Sequence, residues 1–279
     1  MYVTRAPVAN AAATLRITAA ARRVFEGPSE LALNPGHQAD LSVYVADMVR
    51  PYGLAPRVDI DDAGRGYSYG EMAEALIAEL VPAEAPVDVA VLVFAIPDVR
   101  PGRATAVYLS HVCPGNPLAF ALCDQGRAGG FAGLQLLREY ARTGGCRRGL
   151  LVVAEQSTMH YEPAMPVALP TRHAAVALLC EADTHGSGAP GGALVSGLRL
   201  LPDVDPELVE DRLARELATL DAADATLIVG TPAGDGQPDT GVWFALAEAL
   251  DDPTHGRVIV AQYEPLLRYL CVAVVDRRE

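Results

Sequence analysis

The chain has 279 residues, a formal net charge of −13 and 51% hydrophobic residues. This charge argues against binding to nucleic acid or to anionic membranes, and apolar runs such as 87–96 are shorter than the roughly 18–20 residues of a membrane span. All 22 cationic residues are arginine, which excludes the lysines of Schiff bases, pyridoxal phosphate sites and P-loops.

The N-terminus and the cysteines indicate the compartment. The first seven residues lack an apolar core followed by a small-residue cleavage site, so we expect a cytoplasmic protein. The five cysteines form no CxxC pair and the six histidines no HExxH motif. We therefore expect neither disulfides nor a metal site.

Apolar patterning predicts alternating strands and helices along the chain. In the first part it predicts strands over 15–24, 87–96, 118–122, 149–155 and 174–180, the last four of them buried, and helices over 40–49, 69–80, 104–112 and 128–143. A Gly/Pro-rich linker follows at 184–192. Beyond it the pattern predicts strands over 193–201, 225–230, 257–263 and 270–275, and helices over 206–220 and 242–250.

The same order, strand–helix–strand–helix–strand–strand, occurs on both sides of the linker. We therefore predict an internal duplication with an N-terminal half (1–183) and a shortened C-terminal half (193–279). Strands that are apolar along their whole length belong to sheets buried on both faces, so the fold class is α/β.

The most informative segment runs from 119 to 134, where an apolar strand enters a Gly-rich turn and then a helix. We call the turn, residues 123–128, the elbow. A helix N-terminus stabilises an anion, and acyl-transferring enzymes hold nucleophiles at such turns. The residues at its tip, Gly126, Arg127 and Ala128, cannot carry an acyl group.

The order of elements resembles the thiolase fold and, within it, the ketosynthase III branch (β-ketoacyl-ACP synthase III-like). The resemblance is carried by residues 88–98, 120–145, 150–155 and 241–275. It implies two duplicated halves layered α-β-α-β-α. It also implies acyl thioesters of coenzyme A or phosphopantetheine as substrates, with no permanently bound cofactor.

The chain departs from this family at the catalytic positions. Such synthases use a cysteine at the start of the central helix, with a histidine and an asparagine from the second half. The cysteine position falls on Arg127 or Ala128, the histidine position in the loop 231–235, and the asparagine position on Asp239 and Thr240. The comparison implies a degenerate member without the standard Cys-His-Asn triad.

One interpretation is therefore a non-catalytic subunit, similar to the inactive partner of heterodimeric quinolone synthases. It would support acyl transfer or condensation in a polyketide or quinolone-type pathway. The family pairs through the edge strand beside the elbow, here 118–122, so the resemblance implies a homodimer or a heterodimer with a catalytic ketosynthase III-like subunit. A homodimeric pseudoenzyme that only binds a ligand stays open.

The alternative is an active acyltransferase that moves an acyl group from coenzyme A or an acyl carrier protein to an amine or hydroxyl. Its nucleophile would be Cys123, or its base a histidine such as His111 or His173. The competing interpretations are a buried structural thiol at Cys123 and structural histidines. Carrier proteins are acidic, so their docking site would be the arginines that end the central helix, Arg142, Arg147 and Arg148.

The remaining expectations concern the acyl pocket and its surroundings. The pocket is expected around the elbow residues Asp124, Gln125, Gly126, Arg127 and Ala128. Arg127 either pairs with Asp124 or fills the pocket. Glu155 and Gln156 are expected near the subunit contact without a chemical role, and Trp243 is expected in the core.

Overall fold

The computed structural model describes residues 14–29, 35–57, 66–101, 104–164, 167–183, 191–220, 222, 224–230 and 236–277. Residues 184–190 of the predicted linker 184–192 lie outside the described residues. The loop 231–235, which carries the family's histidine position, also lies outside them.

The described residues form a mixed α/β structure. The strands are β1 (Thr14–Phe25), β2 (Val89–Val93), β3 (Leu118–Leu122), β4 (Arg148–Glu155), β5 (His173–Asp183), β6 (Ala193–Leu201), β7 (Thr226–Val229), β8 (Arg257–Glu264) and β9 (Tyr269–Arg277). The helices are α1 (Pro35–Val49), α2 (Tyr69–Leu80), α3 (Thr105–Val112), α4 (Gly129–Arg142), α5 (Val209–Thr219) and α6 (Gly241–Asp251).

These strands form one sheet in the order β3-β2-β4-β5-β1-β6-β9-β8-β7. In the first part, β5 lies antiparallel between β1 and β4, and β4 is parallel to β2. In the second, β9 lies antiparallel between β6 and β8, and β8 is parallel to β7. The two parts meet where β1 pairs with β6. Among the described strands, β3 has no counterpart in the second part.

Helices cover both parts of this sheet. α2 and α3 pack on the outer face of β2, β4 and β5 through residues such as Met72 and Leu109. α4 and α6 are enclosed between the two parts, where Phe131 and Trp243 are fully buried. α5 covers the outer face of β8 and β9. The layers are therefore α-β-α-β-α, and the expectation that Trp243 lies in the core is confirmed.

Small residues let α4 and α6 approach each other closely. A Cβ at Gly130 would lie 2.4 Å from the Trp243 indole, and one at Gly129 would lie 2.5 Å from Val93. Burial of a large apolar side chain contributes about 1.5–3 kcal/mol, so the glycines allow the central layer to bury Phe131 and Trp243 together.

Local sequence sets the bounds of α2. Ser68 precedes the helix, and its hydroxyl accepts from the Glu71 N–H at 3.3 Å, while the Glu71 carboxylate accepts from the Ser68 N–H at 2.9 Å. This capping box satisfies two N–H groups that the first turn leaves without helical partners. The predicted bounds of α2 are confirmed.

The environment predicted for β3 is wrong. β3 has the predicted bounds, but it is an edge strand, with Leu118 55% exposed and Ala121 exposed. Among the described strands only β2 pairs with it, so its second edge has no partner within the described part of the chain. An apolar run does not distinguish a central strand from an edge strand that a helix covers on one face.

The described part of the chain contains no helix that is long and apolar enough to cross a membrane. Within the same residues, no group of three or more His, Cys, Asp or Glu side chains is placed to hold a metal ion.

Candidate functional site

A cavity of about 460 Å³ opens beside the elbow. Its polar wall contains the elbow residues Asp124, Gly126 and Arg127 and the acidic ends of β4 and β8. Its apolar wall contains Val167, Ala168, Pro170 and the turn 265–267 after β8. We call this space the elbow cavity.

Glu264, the last residue of β8, lies directly on the elbow. Its side chain accepts from the backbone N–H groups of Arg127 and Leu266, each at 2.9 Å. Gly126 has φ +47°, and a Cβ built there would lie 2.2 Å from Glu264 Oε2. The Glu264 carboxylate therefore occupies the space into which a side chain at the elbow tip would project.

The other N–H groups at the start of the elbow helix are also bound. The N–H of Ala128 donates to the Gln125 carbonyl at 3.1 Å, and that of Gly129 donates to the Gly126 carbonyl. Acyl transfer normally relies on free N–H donors that point at a developing oxyanion. The consecutive N–H groups of residues 127–129 already have acceptors within the chain.

Glu155, the last residue of β4, makes the corresponding contact with α6. Its carboxylate accepts from the backbone N–H of Asp239 at 2.6 Å, from the N–H of Thr240 at 2.9 Å and from the Gln237 side chain at 3.2 Å. The Thr240 hydroxyl also donates to it. A carboxylate at a helix N-terminus is favoured by the helix dipole, so each of the two strands ends in a glutamate that caps the central helix of the other half.

Asp239 is the acid in this group whose carboxylate has no hydrogen-bond donor among the described residues. Its backbone N–H is bound to Glu155, while the residue is 8% exposed and lines the elbow cavity. Burial, followed by the nearby Glu155 and Glu264 carboxylates, raises the pKa of Asp239 to about 7, and the Arg127 guanidinium opposes this rise. Burial also raises the pKa of Glu155.

The wall of the cavity next to β4 is held by Gln156. Its side chain accepts from the Val99 N–H at 3.0 Å and donates to the Tyr67 carbonyl at 2.7 Å and to Asp98 at 3.2 Å. Gln156 is fully buried, and burial raises the pKa of Asp98. This network fixes the position of β4 and therefore of Glu155.

The arrangement of strands and helices agrees with solved structures along nearly the whole chain. The tetronic acid condensing enzyme AbyA1 has a TM-score of 0.65 at 15% identity, covering 95% of this chain and 100% of its own. The acyltransferase ChlB3 has a TM-score of 0.58 at 16% identity, covering 94% and 97%. The 3-oxoacyl-[acyl-carrier-protein] synthase III of Aquifex aeolicus VF5 has a TM-score of 0.56 at 13% identity, covering 94% and 100%.

The chain has a thiolase-like fold. At these identities the likeness concerns the fold alone. No protein-family model matches the sequence, and no curated protein is significantly similar to it. The three structures named above, which are similar to this thiolase-like chain, are described as a condensing enzyme, an acyltransferase and an acyl-carrier-protein synthase.

The elbow of this thiolase-like chain contains only part of the predicted pocket. Asp124, Gly126 and Arg127 line the cavity, while Gln125 is exposed and Ala128 is buried in the core between the two sheet parts. The Arg127 N–H is bound to Glu264, and its guanidinium lies near enough to Asp239 to lower the pKa of that acid.

The structural interpretation of Cys123 is wrong in one respect. Cys123 is exposed, whereas the other four thiols are buried. It follows the edge strand β3, which explains its exposure, and it does not line the elbow cavity. The nucleophile proposed at this residue would therefore lie outside the cavity.

The histidines proposed as bases are separate from the cavity lining. His173 is buried at the start of β5, facing Gly66, and its Nδ1 atom has no hydrogen-bond partner in the described part of the chain. Burial lowers the pKa of His173. His111 is exposed on α3.

The arginines proposed for carrier docking lie at the far end of α4. This helix has 14 residues, which places its end about 21 Å from the elbow. Arg142 pairs with Glu139 at 2.8 Å, and Arg148 pairs with Glu181. Arg147 is exposed and carries its charge towards solvent.

Sequence reasoning missed the acidic character of the site. Glu155 was expected near a subunit contact without a chemical role, but it is 2% exposed and lines the cavity. Glu264 was not considered. A signal was available, because both glutamates end apolar eight-residue strands that begin with arginine, Arg148–Glu155 and Arg257–Glu264.

Proposed function

We propose that this chain is a ketosynthase III-like subunit that lacks the Cys-His-Asn triad. It supports acyl transfer or condensation of acyl thioesters as part of a dimer, in a specialised pathway of polyketide or quinolone type. The observation that carries the proposal is the Glu264 carboxylate on the elbow tip. It occupies the space into which a side chain at Gly126, next to the expected cysteine position, would project, and it binds the Arg127 N–H of the elbow.

The rest of the triad also lacks candidates of the right type. The sequence contains no asparagine after Asn116. The histidines after His173 are His185, which lies outside the described residues, and His255. His255 bonds the Thr226 hydroxyl at 2.7 Å, close to the start of β8, whereas the cavity lies at the end of β8.

The activities for which the similar structures are named support a role with acyl thioesters. They are those of a condensing enzyme, an acyltransferase and an acyl-carrier-protein synthase. A subunit that keeps this fold and fills its own elbow would complete a dimer whose partner carries out the chemistry. Coenzyme A or phosphopantetheine thioesters would then be substrates of the assembly.

The open edge of β3 supports pairing with a second chain. The Leu118 N–H donates to the Asp88 carbonyl at 2.9 Å, and the Leu122 carbonyl accepts from Phe94 at 3.1 Å. Because bonding alternates along a strand, the N–H groups of Ala119 and Ala121 point away from β2. An unpaired row of this kind is a template for another strand.

Intact-protein mass spectrometry tests the loss of covalent chemistry. The purified chain and Cys123→Ala are incubated with a panel of acyl-coenzyme A and acyl-carrier thioesters. We expect no acyl adduct on either protein. An adduct on the wild type that is absent from Cys123→Ala would contradict the proposal and favour an acyltransferase with a displaced nucleophile.

A matched pair of proline variants tests the dimer. Ala121→Pro removes from β3 an N–H group that points away from β2. Leu227→Pro is the control and removes the equivalent N–H group from β7. The Gly230 N–H bonds β8, so by the same alternation the N–H group of residue 227 points away from β8. Light scattering gives the mass of each variant, alone and co-expressed with a catalytic ketosynthase III-like subunit. We expect Ala121→Pro to abolish dimers and Leu227→Pro to leave them intact. Dimers that persist in Ala121→Pro would overturn this interface.

A further inference from the structure

The Asp239 side chain is not explained by capping or by the subunit role. Among the described residues, no donor reaches its carboxylate, although the residue is 8% exposed and lines the elbow cavity. A buried carboxylate that lacks hydrogen bonds is unfavourable. A carboxylate that faces a cavity can receive its hydrogen bonds from a ligand.

The charged residues around the cavity determine which sign of charge the ligand can carry. The lining contains the carboxyl groups of Asp124, Glu155, Asp239 and Glu264 and a single guanidinium, that of Arg127, among the described residues. Glu155 and Glu264 already accept hydrogen bonds from the helix starts and the turn after β8. The cavity is therefore acidic, which disfavours carboxylate and phosphate ligands and attracts cations.

The exposed residues at the mouth of the cavity are apolar and favour a ligand with an apolar part. Val167, Leu266 and Leu267 line the mouth and are 46%, 84% and 40% exposed. Pro170 and Pro265 lie beside them in the lining. Neighbouring apolar side chains left in water mark a surface that an apolar group covers, and the cavity volume of about 460 Å³ is within the range of small-molecule sites.

We propose that the elbow cavity binds a primary alkylammonium, with its N–H groups on the Asp239 carboxylate and its alkyl chain along Val167, Leu266 and Leu267. An ammonium group supplies both the donors and the positive charge that Asp239 lacks. Binding is non-covalent. This inference goes beyond the proposed subunit role and does not depend on it.

Calorimetric titration with octylammonium, and with octanoate as the matched anion, tests the proposal on the full chain. We expect octylammonium to bind at least about tenfold more tightly than octanoate, because a hydrogen-bonded charge pair in a buried site is worth a tenfold effect or more. Asp239→Asn keeps the shape and removes the charge, so we expect it to weaken octylammonium binding by about tenfold or more.

Glu248→Gln is the control, since Glu248 is exposed on α6, the helix that follows Asp239, and we expect it to leave the affinity unchanged. Equal affinity for octanoate, no binding of octylammonium, or unchanged affinity in a folded Asp239→Asn variant would each overturn the proposal.

The pH dependence of wild-type binding keeps the proposal testable if Asp239→Asn does not fold. An alkylamine stays protonated below about pH 9, whereas Asp239, which faces Glu155, Glu264, Arg127 and Tyr69, has its pKa raised to about 7. We expect octylammonium affinity to fall by about tenfold between about pH 8 and about pH 5.5. A flat profile would contradict the proposal. No thioester is present, so the outcome is separate from that of the acyl-adduct test.

Discussion

The strands β4 and β8 each end in a glutamate, but the two glutamates accept different numbers of hydrogen bonds. Glu155 receives two backbone N–H groups and two side chains, all from residues 237–240 before α6. Glu264 receives two backbone N–H groups, one from the elbow and one from its own turn. The first glutamate is fully engaged in joining the halves, and the second is less firmly held.

Under the proposed subunit role, this arrangement would let the fold keep its architecture without the reaction. The start of a helix attracts an anion, and an enzyme leaves that position open for its reacting group. Here, the chain supplies the anion for both central helices. The capped elbow retains its geometry, with left-handed φ values of +59° at Asp124 and +47° at Gly126.

The comparison predicts unequal costs for removing the two glutamates. Glu155→Ala leaves two buried N–H groups without acceptors, so we expect it to lower the free energy of unfolding by roughly 3 kcal/mol or more. Glu264→Ala should cost about 1–2 kcal/mol. Urea denaturation measures both, with Glu248→Ala as a control expected within about 0.5 kcal/mol of the wild type. A larger cost for Glu264→Ala would reverse the comparison.

The close approach of Glu264 to the elbow tip can be measured separately. Gly126→Ala should destabilise the chain through the contact of its Cβ with Glu264 Oε2 and through the positive φ at this residue. In a Glu264→Ala background the contact is removed and only the backbone cost of about 1–2 kcal/mol remains. We expect a coupling energy of about 1 kcal/mol or more in the double-mutant cycle. Additive effects would show that Glu264 does not occupy the tip.

Asp239 is close to both glutamates, and both affect its pKa. Burial and its acidic neighbours raise the pKa of Asp239 to about 7, above its usual value of about 3.9. Between these values the native state binds more protons than the unfolded state, so stability falls as pH rises from about 4 to about 7 and then levels off. Asp239→Asn lacks this contribution. We expect its stability relative to wild type to increase over that range in urea unfolding, and a constant difference would exclude the raised pKa.

The smallest effect concerns two thiols, one beside the edge strand β3 and one in the interior of the sheet. Cys123 follows the open strand β3, whereas Cys271 is fully buried in β9, where burial raises its pKa to about 12. A chromogenic disulfide reagent should label one thiol rapidly in the native protein and none in Cys123→Ala. Rapid labelling of a second thiol would place another cysteine near the surface.

The secondary structure followed from local patterns to a large extent. The Ser68–Glu71 capping box fixes the start of α2, and apolar runs bounded by turns locate β3 and β6 with the bounds that the structure has. These signals are contained within a few residues. The environment of β3 was missed because apolar content does not reveal which strand lies at an edge.

The candidate site was predicted less well, because its parts come from distant segments. The bond between Arg127 and Glu264 joins residues 137 positions apart in sequence. No local pattern near the elbow indicates that a carboxylate from the second half fills its tip. The sequence shows that the residues at the elbow tip cannot carry an acyl group. The structure adds that the Glu264 carboxylate lies against that tip.

The short strand β7 has a consequence for assembly. Among the described strands β3 has no counterpart beyond β7, so β7 is the second edge of the described sheet, with Leu227 46% and Val229 45% exposed. Two chains joined through β3 would carry one such edge at each end of a continuous sheet, which is the geometry of a growing filament. β7 has only four residues, and brevity is one way in which natural edges resist further pairing. In a dimer of this kind, the short length of β7 would limit further pairing at both ends, and extending β7 would favour the growth of fibres.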